Sequence, residues 1–239
     1  MTVPDTAMVM AAGLGKRMLP LTADRPKPLV ELAGKPLIDH SLERVAAAGV
    51  KRAIINVHYL ADMMEAHLAA NDHGLDILIS DERAQLMETG GGLMKAKSLI
   101  TCDPFLCINS DNLWTDKGEN ALVRLADHWD GGAMDFLLLL IPTDDANNHA
   151  GRGDFNLDNE GRITRHRPEQ EWAPYVYTGI QMIAKQALMD APDGPFSTML
   201  FWERAIFAGR CFGLVHSGQW FDVGSPAAIP ATEVALASG

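Results

Sequence analysis

Four cationic side chains follow a glycine-containing turn near the start of the 239-residue chain: Lys16, Arg17, Arg25 and Lys27. They lie close together in a chain whose formal net charge is −11. Gly13 and Gly15 permit close backbone approaches in which successive N–H groups face an anion. The segment lacks the Lys-Ser or Lys-Thr ending of a Walker loop, and Met18 stands where a dinucleotide fingerprint has its third glycine. We therefore expect the partner to be a polyanion, most simply a triphosphate.

Three prolines stiffen the loop that carries these cations. Pro20 lies near its middle, and Pro26 and Pro28 flank Lys27. Each proline fixes its own φ and restricts the preceding residue, so Lys27 is held at a defined place. A positioned positive charge suits phosphoryl chemistry, where fixed charge near the transferred phosphorus supplies most of the catalysis. On spacing alone, a solvated basic loop after a strand is the alternative.

The apolar run before the glycines predicts the element that positions this loop. Residues 7–12 are short, apolar and bounded by Gly13, as in a buried strand. Predicted helices at 37–48 and 60–70 alternate with predicted strands at 52–57 and 76–79. Alternation of this kind predicts parallel strands joined by crossover helices, and hence an α/β fold. Such sheets bind ligands at the carboxyl ends of their strands, which is where the glycine turn lies.

A second glycine-rich stretch, Glu88-Thr89-Gly90-Gly91-Gly92, precedes a helix predicted at 93–99. Glycines at the entrance of a helix permit a flat ligand, such as a nucleobase, to lie against the backbone. A flexible turn before the helix is the alternative interpretation.

One aspartate is a candidate metal ligand. Asp111 follows a strand predicted at 104–108 and stands among small polar residues. Mg²⁺ in proteins takes one or two carboxylates together with phosphate oxygens and waters. Taken singly, an aspartate in a turn after a strand is more often a capping residue.

The alternation of strands and helices lapses in the second half of the chain. Residues 151–183 contain short strand-like pieces with turns at 158–161 and 168–174, which predicts a small antiparallel excursion. We expect one domain over 1–239, with a first part at 1–142 and a second part with the C-terminal helix at 143–239.

Three segments together resemble the signature of the sugar-1-phosphate nucleotidylyltransferase family: Ala-Ala-Gly-Leu-Gly-Lys-Arg-Met at 11–18, Pro-Leu-Thr at 20–22 and Pro-Lys-Pro-Leu at 26–29. The resemblance implies a Rossmann-like three-layer fold with a mostly parallel central sheet and a small antiparallel sugar-binding excursion. The part at 1–142 would bind the nucleotide, and the part at 143–239 would bind the sugar. It implies that Arg17 and Lys27 act on the phosphates of a nucleoside triphosphate. The nucleotide-binding residues implied with them are Ala11, Ala12, Gly13, Gly15, Lys16, Thr89, Gly91 and Gly92.

The resemblance also implies a magnesium ion on Asp111 and Asp222, with Asp111 in a catalytic role. Six residues are implied on the sugar-phosphate side: Asn109, Gly153, Asp154, Arg167, Thr178 and Gly179. Most relatives carry Glu-Lys-Pro where this chain has His166-Arg167-Pro168. Arg167 would then replace a lysine that grips the phosphate, and the missing glutamate argues against the common glucose-type substrates. A surface basic turn is the alternative for this segment.

The chain resembles one subgroup of this family, which acts on N-acetylmuramate 1-phosphate, in three features: Lys16, Met18 and its short length. UTP and this sugar phosphate are therefore the expected substrates. Pyrophosphate and an NDP-sugar would be the products. Within the family, a glucose-1-phosphate thymidylyl- or uridylyltransferase and a mannose- or heptose-1-phosphate guanylyltransferase are alternatives. A metal-dependent glycosyltransferase and a non-catalytic nucleotide or sugar sensor are the alternatives outside it.

Composition limits the other functional classes. An acidic chain with a sequence pI near 5.1 is not expected to bind duplex nucleic acid, which needs a broad basic face. Cys102, Cys107 and Cys211 lack metal-type spacing and are expected to be reduced core or near-core residues. Neither a signal peptide nor a run of membrane-spanning length is evident. We expect a cytoplasmic monomer or small homo-oligomer that binds neither membrane nor nucleic acid.

Overall fold

A computed structural model describes residues 2–165 and 170–238. The helices there are α1 Leu37–Ala47, α2 Ala61–Ala70, α3 Glu88–Ala96, α4 Ala121–His128, α5 Met199–Phe207 and α6 Ala228–Ser238. The strands are β1 Thr6–Met10, β2 Glu31–Leu32, β3 Lys35–Pro36, β4 Arg52–Val57, β5 Asp76–Asp81, β6 Phe105–Asn109, β7 Asn112–Trp114, β8 Phe136–Pro142, β9 Ala146–Asn147, β10 Phe155–Leu157, β11 Ile163–Arg165, β12 Tyr175–Ile183, β13 Cys211–Val215 and β14 Trp220–Asp222.

The central sheet has a parallel half and an antiparallel half. β1 pairs in parallel with β4 and β6, and β4 pairs in parallel with β5. β12 lies antiparallel to β6, β8 and β10, and β10 forms a hairpin with β11. The α/β fold with a largely parallel core is therefore confirmed, and the antiparallel strands lie where the turn-rich region predicted them.

Helices cover both faces of the sheet. Successive residues of a strand point to opposite faces, so Ala7 packs with α1 and α4, whereas Met8 packs with α3 and α5. The α2 helix packs with α1 over Val9 and the end of β4. This gives three layers, with apolar clusters on each side of the sheet.

A small second sheet joins the C-terminal part of the chain to the loop after β6. In it, β14 lies antiparallel to β7 and parallel to β9. Phe221 and Val223 are buried with Met18 and Leu32 in one apolar cluster. The cluster fixes the glycine turn and the end of β14 against each other, which explains why position 18 carries a large apolar side chain.

Among the helices predicted above, α3 differs most from its predicted bounds. The helix predicted at 93–99 begins at Glu88 and ends at Ala96, so the three glycines lie inside it. Helix propensity disfavours consecutive glycines, but packing against the segment before α5 overrides it here. None of the helices in the described ranges has the length and apolar character needed to cross a membrane.

Candidate functional site

The predicted catalytic loops meet where β1 and β6 end. These strands are parallel neighbours, so their carboxyl ends lie side by side. The backbone N–H and the hydroxyl of Ser110 both donate to the carbonyl oxygen of Met10, at 3.2 Å and 2.8 Å. The loop that carries Asp111 is thus tied to the start of the glycine turn.

Gly15 shapes that turn. Its φ is +62°, and an added Cβ would lie 3.0 Å from both Lys27 Cβ and Thr22 Cγ2. The carbonyl oxygen of Gly15 accepts from Met18 N and from Thr22 Oγ1, each at 2.9 Å. A side chain at this position would strain the backbone and crowd the base of Lys27, so glycine is required for two separate reasons.

Lys27 lies beneath the turn and points into the cleft. It begins a short 3₁₀ turn over Lys27–Leu29, with Pro26 before it and Pro28 inside it. Its Nζ lies 2.6 Å from Asp111 Oδ2. The lysine side chain is 11% exposed and the aspartate side chain 30% exposed, so this ion pair is shielded from water on the lysine side.

Asp222 reaches the same place from the other end of the chain. In the pairing of β14 with β7, Asp222 lies opposite Asn112, and Val223 N donates to the carbonyl oxygen of Asp111 at 3.2 Å. A Cβ added to Gly224 would lie 2.6 Å from Asp222 Oδ1 and 3.3 Å from a terminal nitrogen of Arg17. Arg17, Lys27 and Asp111 therefore line one cleft, and Asp222 lies beside Gly224 at its edge.

The cleft continues toward α3 as a cavity between the sheet edge and that helix. Of the residues predicted to bind nucleotide, its walls include Ala11, Ala12, Gly13 and Thr89. Lys27, Asn109 and Asp111 also line it. An adjoining cavity follows the turn and is lined by Gly13, Gly15, Lys16, Arg17, Lys27, Asp111 and Gly224. The arrangement suits a nucleotide whose base lies toward α3 and whose phosphates lie against the turn.

Sequence reasoning missed a buried polar network in the wall of this cavity. Ala11 N donates to Asn56 Oδ1 at 2.6 Å, and Asn56 Nδ2 donates to Glu82 Oε1 at 2.8 Å. The other carboxylate oxygen of the fully buried Glu82 accepts from Met87 N at 3.0 Å. The network links the glycine turn to the start of α3. The sequence offers one indication of this network: Asn56 lies near the end of β4, and Glu82 directly follows β5.

The glycines of α3 have a packing role. A Cβ at Gly90 would collide with the phenyl ring of Phe196, and one at Gly91 would lie 2.6 Å from the carbonyl oxygen of Gly194. A Cβ at Gly92 would lie 2.9 Å from Glu82 Oε1. Gly91 and Gly92 are thus buried against protein, and they are absent from the lining of the cavity. The predicted contact of Gly91 and Gly92 with a nucleotide stays a prediction.

On the predicted sugar side, Gly179 and Thr178 occupy different environments. Gly179 has a φ of +84° in an irregular part of β12, and an added Cβ would lie 3.0 Å from Asn109 Cβ. Thr178 is fully buried, and its hydroxyl donates to the carbonyl oxygen of Leu139 at 2.7 Å. The carbonyl oxygen of Thr178 accepts from Trp220 Nε1 at 2.9 Å, so the side chain and the carbonyl group of this residue both have partners within the protein, and its contact with the sugar stays a prediction.

Gly153 and Asp154 line a separate cavity between β10, β12 and α5. The Asp154 carboxylate accepts from Tyr177 N at 2.8 Å, and two arginines, Arg152 and Arg165, stand beside it. Burial raises the pKa of Tyr177 well above its ordinary value, so the phenol stays neutral. Arg165 pairs with Glu203. The predicted Arg167 lies outside the described residues.

Comparisons with known proteins agree with this geometry. The family profile of the nucleotidyl transferases matches residues 6–238. The N-acetylmuramate alpha-1-phosphate uridylyltransferase of Caulobacter vibrioides is 45% identical over 237 residues, covering 98% of each chain. The protein of that name from Neisseria meningitidis serogroup B is 32% identical, covering 92% of this chain and 93% of its own.

Solved structures show the same fold. The crystal structure of HddC from Yersinia pseudotuberculosis superposes with a TM-score of 0.79 at 22% identity, covering 97% of this chain and 99% of that one. The resemblance predicted from the short motifs at the amino terminus is thus confirmed over the length of the chain, which belongs to the nucleotidyl transferase family.

Proposed function

We propose that this enzyme joins UTP to N-acetylmuramate 1-phosphate, giving the UDP-sugar and pyrophosphate. The names of the two relatives above, at 45% and 32% identity, support this substrate pair. The observation that carries the reaction type is the 2.6 Å contact between the shielded Lys27 and Asp111, at the junction of the loops after β1 and β6. In this proposal, residues 1–142 hold most of the nucleotide and residues 143–239 hold the sugar.

The chemistry is an in-line displacement at the α-phosphorus. An oxygen of the sugar phosphate forms the new P–O bond, the bond between the α-phosphorus and the bridging oxygen breaks, and pyrophosphate leaves with the electron pair. The chain supplies no covalent nucleophile. Arg17 and Lys27 neutralise the charge that builds on the departing pyrophosphate, because fixed cations stabilise a developing anion without reorganising.

Asp111 and Asp222 are the residues that would hold Mg²⁺. Both offer carboxylate oxygens, the donors that this ion prefers, and the hydrogen bond from Val223 N to the carbonyl oxygen of Asp111 holds the two loops together, which supports a shared ion. When bound, the ion would polarise the phosphate oxygens and offset the repulsion between two anionic substrates. Lys27 Nζ contacts Asp111 Oδ2, so the ion would share that carboxylate with the lysine.

The two arginines that line the cavity beside Gly153 favour the binding of an acidic sugar. Arg152 is exposed, its guanidinium stacks 6.0 Å from the ring centroid of Trp172, and it lines the cavity together with Arg165. The lactyl group distinguishes N-acetylmuramate from N-acetylglucosamine by one carboxylate. We assign recognition of that carboxylate to Arg152, because an arginine fork matches a carboxylate with two parallel hydrogen bonds.

A substrate panel tests the proposal. UTP, GTP and dTTP would each be combined with the 1-phosphates of N-acetylmuramate, N-acetylglucosamine, glucose and mannose, and the products identified by mass spectrometry. We expect the highest kcat/KM for UTP with N-acetylmuramate 1-phosphate. A preference for GTP with mannose 1-phosphate would overturn the substrate pair while leaving the reaction type intact.

Arg152→Gln tests the assignment within the sugar cavity. Loss of a charged hydrogen-bonding partner should raise KM for N-acetylmuramate 1-phosphate by about ten- to a hundredfold and leave KM for N-acetylglucosamine 1-phosphate unchanged. Arg52→Gln, at the amino end of β4, is the matched control. Equal increases for both sugars would contradict the assignment.

A further inference from the structure

Three side chains of the kind that ligate transition metals meet outside the cleft. Asp39 lies in the first turn of α1, His67 in the last turn of α2, and His73 in the segment between α2 and β5. One potential ligand atom of each lies within 4.8 Å of the other two. None of the three lines the cavities described above. The cluster is therefore separate from the proposed catalytic site.

The contacts within the cluster centre on one carboxylate oxygen. His67 Nε2 lies 2.8 Å from Asp39 Oδ1, and His73 Nδ1 lies 3.9 Å from the same atom. The two imidazole centroids are 6.1 Å apart. Both rings thus approach Asp39, although they belong to different elements of the chain.

The cluster is shielded, and it contains an unsatisfied nitrogen. The side chain of His73 is only 5% exposed, and those of Asp39 and His67 are 16% and 19% exposed. His73 Nε2 is buried and has no hydrogen-bond partner among the described residues. The other ring nitrogen, Nδ1, is the one that faces Asp39, so the ring is held beside the carboxylate without a hydrogen bond on Nε2.

We propose that Asp39, His67 and His73 bind a divalent transition-metal ion, preferably Zn²⁺, with water completing the coordination. Two imidazoles and one carboxylate form a set of three protein ligands found at open zinc sites. Bonds of about 2.0 to 2.1 Å in a tetrahedral site place ligand atoms roughly 3.3 Å apart. The separations from Asp39 Oδ1 are 2.8 Å and 3.9 Å, and all three ligand atoms lie within 4.8 Å of one another, so the side chains would draw together around the ion.

The bound ion would take the place of the proton between His67 Nε2 and Asp39 Oδ1. It would connect α1, α2 and the segment before β5, of which α1 and α2 are already joined here by the hydrogen bond between Asp39 and His67. A ligand that binds only the folded state stabilises it by mass action, so zinc should raise the melting temperature. Mg²⁺ should not compete, because it prefers an all-oxygen shell.

The test uses the full chain, stripped with a chelator and kept in excess Mg²⁺ so that the aspartates of the cleft are occupied. Zn²⁺ binding would be followed by calorimetry, and Co²⁺ by its visible absorption, which is intense only in four- or five-coordinate sites. We expect one such ion per chain. His67→Gln and His73→Gln should each weaken zinc binding by at least about 100-fold. Loss of a residue that only supports a metal ligand weakens binding by about 100-fold at most, so a larger effect identifies a ligand.

His128→Gln is the matched control, because that exposed histidine contacts only a carbonyl oxygen of its own helix in the described structure. It should bind zinc as the unaltered chain does. Circular dichroism would establish that each variant is folded, and Asp39→Asn provides a third variant if one fails. Undiminished zinc affinity in both histidine variants, or no zinc binding by the unaltered chain, would overturn the proposal. Without zinc, pyrophosphate release should be equal in the unaltered chain and in all of these variants. Failure of the zinc proposal would therefore leave the proposed function unaffected.

Discussion

The contact between Lys27 and Asp111 allows a sharp test of the catalytic proposal. Lys27→Met keeps the length of the side chain and removes only the positive charge. Loss of one positioned charge at a developing anion lowers turnover by about a hundredfold to a thousandfold. The Lys27 side chain is 11% exposed, so water cannot substitute freely for the missing ammonium. We therefore expect kcat/KM to decrease by about a hundredfold to a thousandfold.

The same substitution has a smaller effect on stability. Breaking a fully buried ion pair costs about 3 to 5 kcal/mol, because one charge is left unpaired. The Asp111 side chain is 30% exposed and can recover solvation, so we expect a loss of about 1 to 2 kcal/mol. Denaturant unfolding would measure this loss and show that the variant is folded when its activity is assayed.

Lys35 provides the matched control. Its Nζ also lies 2.6 Å from a carboxylate oxygen, that of Glu43, but the two side chains are 38% and 59% exposed and lie away from the cleft. Lys35→Met should leave pyrophosphate release within about twofold of the unaltered enzyme, as surface ion pairs contribute little. If Lys27→Met also stayed within tenfold, the assignment of Lys27 to catalysis would be refuted.

Three further predictions concern stability and reactivity. Gly90→Ala should destabilise the fold by about 1 to 3 kcal/mol in denaturant unfolding, because its methyl group would collide with the ring of Phe196; an unchanged midpoint would contradict this packing role. Desolvation lowers the pKa of the buried His216 below its ordinary value of 6.5, so the unfolded chain binds the extra proton first and stability should fall as pH drops below that value. His216→Gln should reduce this dependence, and an unaltered pH profile would refute it. Burial raises the pKa of Cys107 to about 12, so iodoacetamide should modify the partly exposed Cys102 in the native enzyme and reach Cys107 only after unfolding, as peptide mass mapping would show.

Local patterns in the sequence determined much of the fold. The strand predicted at 52–57 has these bounds in the structure, and the helix predicted at 37–48 differs by one residue. Apolar periodicity and the glycines that end each element are properties of neighbouring residues, so they can be identified without knowing the fold. The stiffened position of Lys27 follows in the same way from the prolines on either side.

The start of α3 was decided by tertiary contacts. Three consecutive glycines predict a loop, yet Gly90 N and Gly91 N donate to the carbonyl oxygen of Phe196, and the glycines are buried in a helix. The buried polar network likewise joins distant residues. Ala11 bonds to Asn56, which is 45 positions away, and Asn56 bonds to Glu82, which is 26 positions away. No local pattern encodes such contacts.

The sequence alone determined which chemical groups the site contains, because residue type fixes charge and donor atoms, and local turns fix the backbone around them. Only the tertiary structure decided that these groups meet. Lys27 reaches Asp111 across 84 residues because β1 and β6 are parallel neighbours, and Asp222 joins them because β14 pairs with β7. Strand order and the burial of Met18 with Val223 depend on long-range packing, which pairs surfaces that are distant in the chain.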